Sequence, residues 1–187
     1  FKYVYDNIKK DVHLASIAGG TDLVGCLVLG NLFSNVHKGE IQGQSLGIDV
    51  DVFTDNGRST KDGEKGELVV KQPFPSMPVK FWGDDDGQKY HKAYFTRFKN
   101  IWHHGDFIER TDKNGFIMRG RSDATLNPGG VRIGTSEIYQ QVEDIDFITE
   151  GLVVGQDFDD DVRIILFITT KNNQEIDKEK IKLIKSR

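Results

Sequence analysis

The sequence predicts a mixed α/β fold in two parts, a β-rich part ending near residue 122 and a smaller α+β part over residues 123–187. Three observations predict it. Apolar residues alternate through Ile48, Val50 and Val52 and are followed by the apolar run of residues 66–70, the period-two pattern of half-buried strands. Asn114-Gly115 lies between two short apolar runs and marks a hairpin. Beyond Asp123 a proline and glycine loop gives way to alternating helical and extended patterns, which read as a second unit cut short.

Residues 3–10 are expected to be helical, and residues 13–18 to form a short buried strand running into Gly19-Gly20-Thr21-Asp22. Cys26 sits in the apolar run 23–29 and reads as a buried free thiol. The stretch from about 38 to 122 is expected to make a small sheet or β-barrel-like unit. Pro73, Pro75 and Pro78 break the chain inside it, and Asp84-Asp85-Asp86-Gly87 precedes a helix over 88–98. These three acidic residues lack the alternating ligands and distal Glu of a calcium loop, and a helix dipole accounts for them. A strand over 100–105 places the side chains of His103 and His104 on opposite faces, which argues against a shared metal. The hairpin 107–119 leads to Gly120-Arg121-Ser122-Asp123. Thr135 or Ser136 is expected to cap a helix from about 137 to 144; strands follow over 151–155 and 162–170, and a helix over 177–185. Asp157, Asp159, Asp160 and Asp161 read as a solvated turn.

With 25 Lys and Arg against 29 Asp and Glu, and no long basic run, the composition argues against nucleic-acid binding as the main role. One cysteine makes no internal disulfide, which suits a reducing compartment such as the cytosol. No apolar run reaches the roughly 20 residues of a membrane helix, and no leader is visible. The chain starts at Phe1 and stops inside an amphipathic pattern, so it reads as an internal fragment.

A glycine turn carrying Thr21 and Asp22 brings backbone, a hydroxyl and a carboxylate close to a ligand, or is a plain tight turn. Asp106, at a strand end, has the chemistry to accept both hydroxyls of a ribose, while Arg121 and Arg132 can neutralise phosphate. Ordinary strand-end and salt-bridge roles remain open for all three. SIAGGTD, HKGEIQGQSLGI, Gly66-Glu67-Leu68, KAYFTRF, IWHHGD and GRSDATLNPGGVRIGTSEIY stand in the order and approximate spacing of one family. In these motifs the chain resembles the adenylate-forming acyl-CoA synthetases, in particular their acetoacetate-activating branch, from the N-terminus to about Glu143.

The resemblance implies the end of a large N-terminal domain over 1–122, followed by a hinge and the first part of a small C-terminal domain over 123–187. It implies that Gly19 and Gly20 shape a nucleotide site and that Thr21 contacts the α-phosphate of ATP. Asp22 would help hold Mg²⁺, standing where many relatives carry Glu. Asp106 and Arg121 would bind the ribose. Asp123 would be the hinge, Gly130 would flank the pantetheine arm of CoA, and Arg132 would meet phosphate. Ala18 and Gly19, where acetate-activating relatives are bulkier, would leave room for acetoacetate. The family's phosphate loop and adenylation lysine fall outside this stretch, so the segment alone is expected to be inactive. Two other readings are an acyl-CoA ligase for a different short- or medium-chain acid, and a nucleotide-binding module without chemistry.

Overall fold

The computed structural model describes Phe1–Arg187 apart from Asp160. It divides into two compact units, Phe1–Met118 and Arg119–Arg187. The sequence pattern puts the boundary at Asp123.

The first unit opens with α1 (Lys2–Asn7), a helix of 6 residues. Residues 13–17 then form no strand, contrary to the sequence expectation, and their burial alternates between half-buried and exposed. The reason is pairing: β1 is confined to Ala18–Gly20, the stretch of this segment that pairs antiparallel with β2 (Gly25–Leu29). β3 (Gly43–Gln44) adds a third strand on the other side of β2. Cys26 is half-buried rather than buried, because Leu27 and Val28 take the core positions of β2.

β4 (Val50–Phe53), β5 (Lys65–Val70), β6 (Trp102–Arg110) and β7 (Phe116–Arg121) form a sheet in that order. Of the two forms expected, a small sheet or a barrel-like unit, the sheet is found, and it does not close. Its two edges are occupied separately, β4 by its own loop through Thr60 N to Val52 O at 2.8 Å, and β7 by Ile41, which exchanges bonds of 2.7 and 2.8 Å with Phe116. Neither edge is left to meet the other. The core joins Leu23, Leu27 and Val28 to Val50, Val52, Leu68, Val70, Trp102, Ile108 and Phe116. Burying each of these apolar side chains contributes roughly 1.5–3 kcal/mol.

The Gly-Glu-Leu motif of β5 is explained by packing. A Cβ on Gly66 would lie 2.8 Å from the carbonyl carbon of Phe53 on β4, so only glycine fits. Glu67 is fully buried, with its carboxylate 2.8 Å from His103 Nε2 and 3.3 Å from Arg97 Nη2. Leu68 enters the core. α2 (Gln88–Tyr94) stops four residues short of the predicted end. Its first turn is satisfied by the acidic run, since Asp84 accepts from the backbone of Lys89 at 3.0 Å and Tyr90 at 2.8 Å, and Asp86 from Gln88 at 3.2 Å.

In the second unit, α3 (Thr135–Val142) begins earlier than expected. Gly134, not Thr135 or Ser136, is its N-cap, and the Glu137 carboxylate accepts the Gly134 backbone N–H at 2.9 Å. A Cβ on Gly134 would press on the Arg119 backbone, which excludes a serine or threonine there. β8 (Ile148–Phe158) and β9 (Asp161–Thr170) pair antiparallel over nearly their whole length, beyond the predicted strands. Val142, Ile145 and Val153 are its buried centre with Leu126. α4 (Lys178–Lys185) is capped by Asp177, whose side chain accepts from Lys180 N at 2.9 Å.

Asp51 is the charged residue buried within β4. It accepts from Ser59 at 2.7 Å, Val52 N at 2.8 Å and Arg110 at 2.6 Å, with Lys71 Nζ at 3.3 Å. Burial opposes its charge, but the bonds from Ser59, Val52 and Lys71 outweigh it, and its carboxyl titrates below the ordinary value. A lowered carboxyl pKa adds stability above the unfolded value of about 3.9, and that stability disappears as pH falls through the lower folded value. Asp51→Ala is expected to cost about 2 kcal/mol at pH 7, less than the ~3–5 of a fully buried pair because Arg110 and Lys71 keep water. Urea melts of wild type and variant at pH 7 and pH 3 measure this, and the gap between them should shrink at the lower pH.

Candidate functional site

The glycine turn is the tip of the β1–β2 hairpin. Gly19 lies where β1 shifts register against β2, and a Cβ there would meet Cys26 Cα at 2.6 Å. A Cβ on Gly20 would meet the Asp22 carboxylate and stand 3.2 Å from His104 Cε1 on β6. Gly19 is therefore required by close approach of the β2 backbone, while a side chain at Gly20 would displace the Asp22 carboxylate; neither has a left-handed backbone. The positive φ of this turn belongs to Val24, at 50°, which is 87% exposed.

Gly19, Gly20 and Thr21 line a depression of about 600 Å³ together with Ala18, Cys26 and Asp106. Asp106 is 6% exposed. It follows a bulge in β6: Val69 pairs with His103 and Glu67 with Phe107, so the single residue Leu68 faces three, with Gly105 at φ 83° among them. A bulge bends the strand and re-aims the next side chain. This gives the Gly-Asp dipeptide its physical reason: glycine supplies the backbone that turns Asp106 to the depression.

Asp22 does not line this depression. Its Oδ2 accepts the hydroxyl of Tyr94, from the last turn of α2. Tyr94 stacks on Trp102 with ring centroids 3.6 Å apart and planes 12° from parallel. Trp102 Nε1 donates to His104 Nδ1 at 3.4 Å, and His104 Nε2 stands 3.7 Å from Asp106 Oδ2. Sequence reasoning did not single out Tyr94, Trp102 or His104 as site residues. Their one shared signal is the recurrence of aromatics in KAYF and IWHH, which is equally a core signal. Burial, helped by the Asp22 bond, pushes the Tyr94 phenol well above its ordinary value, so it remains a donor.

The remaining candidates lie in the second unit. Arg121 ends β7 with Nε 3.6 Å from Asp123 Oδ1. Asp123 is exposed in a single 3₁₀ turn, Ser122–Ala124, flanked by extended residues on both sides. Its φ is negative; the unusual backbone nearby is at Gly120, φ 122°. The 3₁₀ turn Pro128–Gly130 sits in a loop closed by the Leu126–Ile133 bridge. Gly129 and Gly130 have φ of 56° and 78°, and a Cβ on either would meet nothing within 4 Å. Backbone conformation, rather than crowding, calls for glycine here. Arg132 donates to Thr125 Oγ1 at 3.3 Å. Asp161 is more than a solvated turn residue, since its Oδ1 accepts from Gly129 N at 2.8 Å and Val162 N at 2.7 Å. These bonds, Gly129 first, lower its pKa. Asp160 lies outside the described residues.

A divalent cation has a limited donor set here. Among the described residues no three His, Cys, Asp or Glu side chains converge. Asp22 offers the oxygen not bonded to Tyr94, which lies over Gly20. That fits Mg²⁺, which is commonly held by one or two carboxylates with substrate phosphates and water completing its octahedron. Among the described residues no helix is long and apolar enough to cross a membrane.

No protein-family model matches the chain. Over 187 residues it is 57% identical to an acetoacetyl-coenzyme A synthetase of Rhizobium meliloti (strain 1021), covering 100% of this chain and 29% of that protein. With the acetoacetyl-CoA synthetase of Xenopus tropicalis the identity is 45%, over 99% of this chain and 28% of that protein. Among solved structures, the acetoacetyl-CoA synthetase from Streptomyces lividans matches with a TM-score of 0.82 at 39% identity, covering 92% of this chain and 26% of that one. A benzoate CoA ligase from Burkholderia xenovorans LB400 shares the fold, with a TM-score of 0.71 at 22% identity. The chain spans under a third of the length of these curated relatives. It is homologous along its whole length to a segment of the acetoacetyl-CoA synthetases, within the fold of the adenylate-forming acyl-CoA ligases.

Proposed function

We propose that this chain is the nucleotide-holding and joint segment of an acid–thiol ligase that converts acetoacetate, ATP and CoA into acetoacetyl-CoA, AMP and pyrophosphate. The observation that carries the reading is the single depression lined by Gly19, Gly20, Thr21 and the buried Asp106, in a chain 57% identical to a synthetase of that name. In the reaction, the acetoacetate carboxylate attacks the α-phosphorus and pyrophosphate leaves. The CoA thiolate then attacks the acyl carbon and AMP departs.

Thr21 is assigned to the α-phosphate and Asp22 to Mg²⁺. Asp106 and Arg121 are assigned to the ribose hydroxyls, with Asp106 as acceptor and Arg121 as donor. Mg²⁺, when bound, supplies charge neutralisation on the phosphates. Gly19, Gly20 and Thr21 act by presenting backbone and a hydroxyl without bulk, so positioning and electrostatics carry the rate. Ala18, Gly19, Gly25 and Cys26 are the small residues of the depression, and they support an acyl pocket wide enough for a four-carbon keto acid. Asp123 is proposed as the hinge of the small domain from residue 123 onward. An exposed one-turn element between extended residues can absorb a φ/ψ change at little packing cost. Gly130 and Arg132 are assigned to CoA. The proposal gives the phosphate loop and the adenylation lysine to the rest of the full-length protein, and places the enzyme in the cytosol, where the free Cys26 thiol is at home.

Full-length protein should release pyrophosphate with acetoacetate and ATP faster than with acetate, butyrate or octanoate; equal or better turnover of one of these acids would reassign the substrate. Asp106→Ala should raise the KM for ATP by at least about tenfold, as expected for loss of buried hydrogen bonds to an ionised acceptor. Steady-state kinetics at saturating acetoacetate and CoA measure it. Gly130→Ala should raise the KM for CoA while CoA-independent pyrophosphate release stays unchanged. Gly129→Ala is the control for backbone strain, since it too has positive φ and open space.

A further inference from the structure

Asp22 is an exposed carboxylate on a hairpin turn, a place where a side chain ordinarily keeps its rotamer freedom. Here it does not. Tyr94, 72 residues along the chain, donates its hydroxyl to Oδ2, while Oδ1 lies over Gly20 in the space that a Cβ there would fill. Tyr94 itself is fixed. Its ring is 9% exposed and lies flat on Trp102, which is 2% exposed, and Phe81 and Tyr90 stand edge-on to it at 5.8 and 5.5 Å. The hydroxyl therefore comes from a buried cluster that does not move with the turn.

We infer that Tyr94 is a positioning residue: its hydroxyl occupies one oxygen of Asp22 and leaves the other, held over Gly20, as a single-oxygen ligand for the divalent cation that accompanies ATP. The inference rests on the assignment of Asp22 to the cation. Mg²⁺ requires near-ideal octahedral geometry, and a carboxylate binding through one oxygen leaves the remaining positions to phosphate oxygens and water. An aspartate free to rotate would lose side-chain entropy on binding; Tyr94 removes that loss beforehand. The same ring sits on Trp102, whose indole N–H holds the His104 ring beside Asp106. Removing only the hydroxyl of Tyr94 thus separates the cation end of the site from the Asp106 end.

The test compares wild type, Tyr94→Phe and Asp22→Asn in the full-length protein. Phenylalanine keeps the ring and its stack, and an unchanged thermal unfolding midpoint checks this. Mn²⁺ binding in the presence of ATP is read by electron paramagnetic resonance, and AMP binding without metal by calorimetry. Tyr94→Phe should weaken Mn²⁺ by about tenfold, the size of one hydrogen bond to a charged group, and raise the half-saturating Mg²⁺ concentration for turnover by a similar factor. Its AMP affinity should match wild type, which a general loosening of the unit would not allow. Wild-type Mn²⁺ affinity in Tyr94→Phe, with Mn²⁺ binding lost in Asp22→Asn, overturns the role of Tyr94 and leaves the cation site standing. Wild-type Mn²⁺ affinity in both variants overturns the cation assignment as well.

Discussion

The first unit depends on where Trp102 sits. It is the largest fully buried side chain, it heads β6, and it packs edge-on against Phe74 at 5.5 Å while stacking on Tyr94. An aromatic ring of this size buries on the order of 150–250 Å², so it anchors the core on which the sheet and α2 meet. The site is built on the same side chain. Asp22 is reached through Tyr94, stacked on the indole, and Asp106 through His104, bonded to its N–H. Two carboxylates from distant parts of the chain are thereby held by one rigid body, and rigid support is what a charged ligand site needs if it is not to reorganise on binding.

The glycines divide into two kinds, and the division separates architecture from access. Gly19, Gly66 and Gly134 are there because another backbone segment already fills the space of a side chain. Gly105, Gly129 and Gly130 are there for a left-handed backbone, and in the loop of Pro128–Gly130 nothing crowds them. The first kind closes strands onto one another. The second kind aims a neighbouring side chain, as at Asp106, or leaves backbone open to solvent, as at Gly129 and Gly130. Motifs that read alike on paper as glycine followed by a polar residue are thus different devices.

Much of this was legible in the sequence. The alternation through Val50 and Val52, the Asn114-Gly115 hairpin and the strand-rich second unit all follow local periodicity and turn chemistry, which the structure respects. Residues 13–17 were misread because an apolar pattern records readiness to pair, while pairing itself needs a neighbour, and β2 supplies one only from Ala18. Sheet and barrel could not be told apart in the sequence because closure depends on what occupies each sheet edge, and Thr60 and Ile41 do so through a few backbone contacts that no period encodes. Gly134 replaced Thr135 as helix cap because the Arg119 backbone lies against it, a tertiary fact that overrides capping preference. The short motifs pick out Gly19, Thr21 and Asp106, which line one depression, but not Tyr94, which reaches Asp22. A contact across 72 residues leaves no local trace, and a tyrosine in a helix rich in aromatics looks like core.

Asp161, at the start of β9, gives the second unit a different kind of order from the first. Its glycine loop has no side chains to bury, and it hangs on Asp161, whose Oδ1 takes the Gly129 N–H, and on the Leu126–Ile133 bridge. An exposed carboxylate bonded to backbone is held by hydrogen bonding alone, whereas Leu126, Val142, Ile145 and Val153 are held by burial. The lowered pKa of Asp161 fixes the direction of its pH response: the bond is intact above the ordinary carboxylate range and released as pH falls through the lowered value. For the role proposed for this loop beside a long flexible cofactor arm, such a tie serves better than a packed core. The carboxylates of the first unit have the opposite support, a buried ring cluster, which suits the proposed role of staying where the charge arrives.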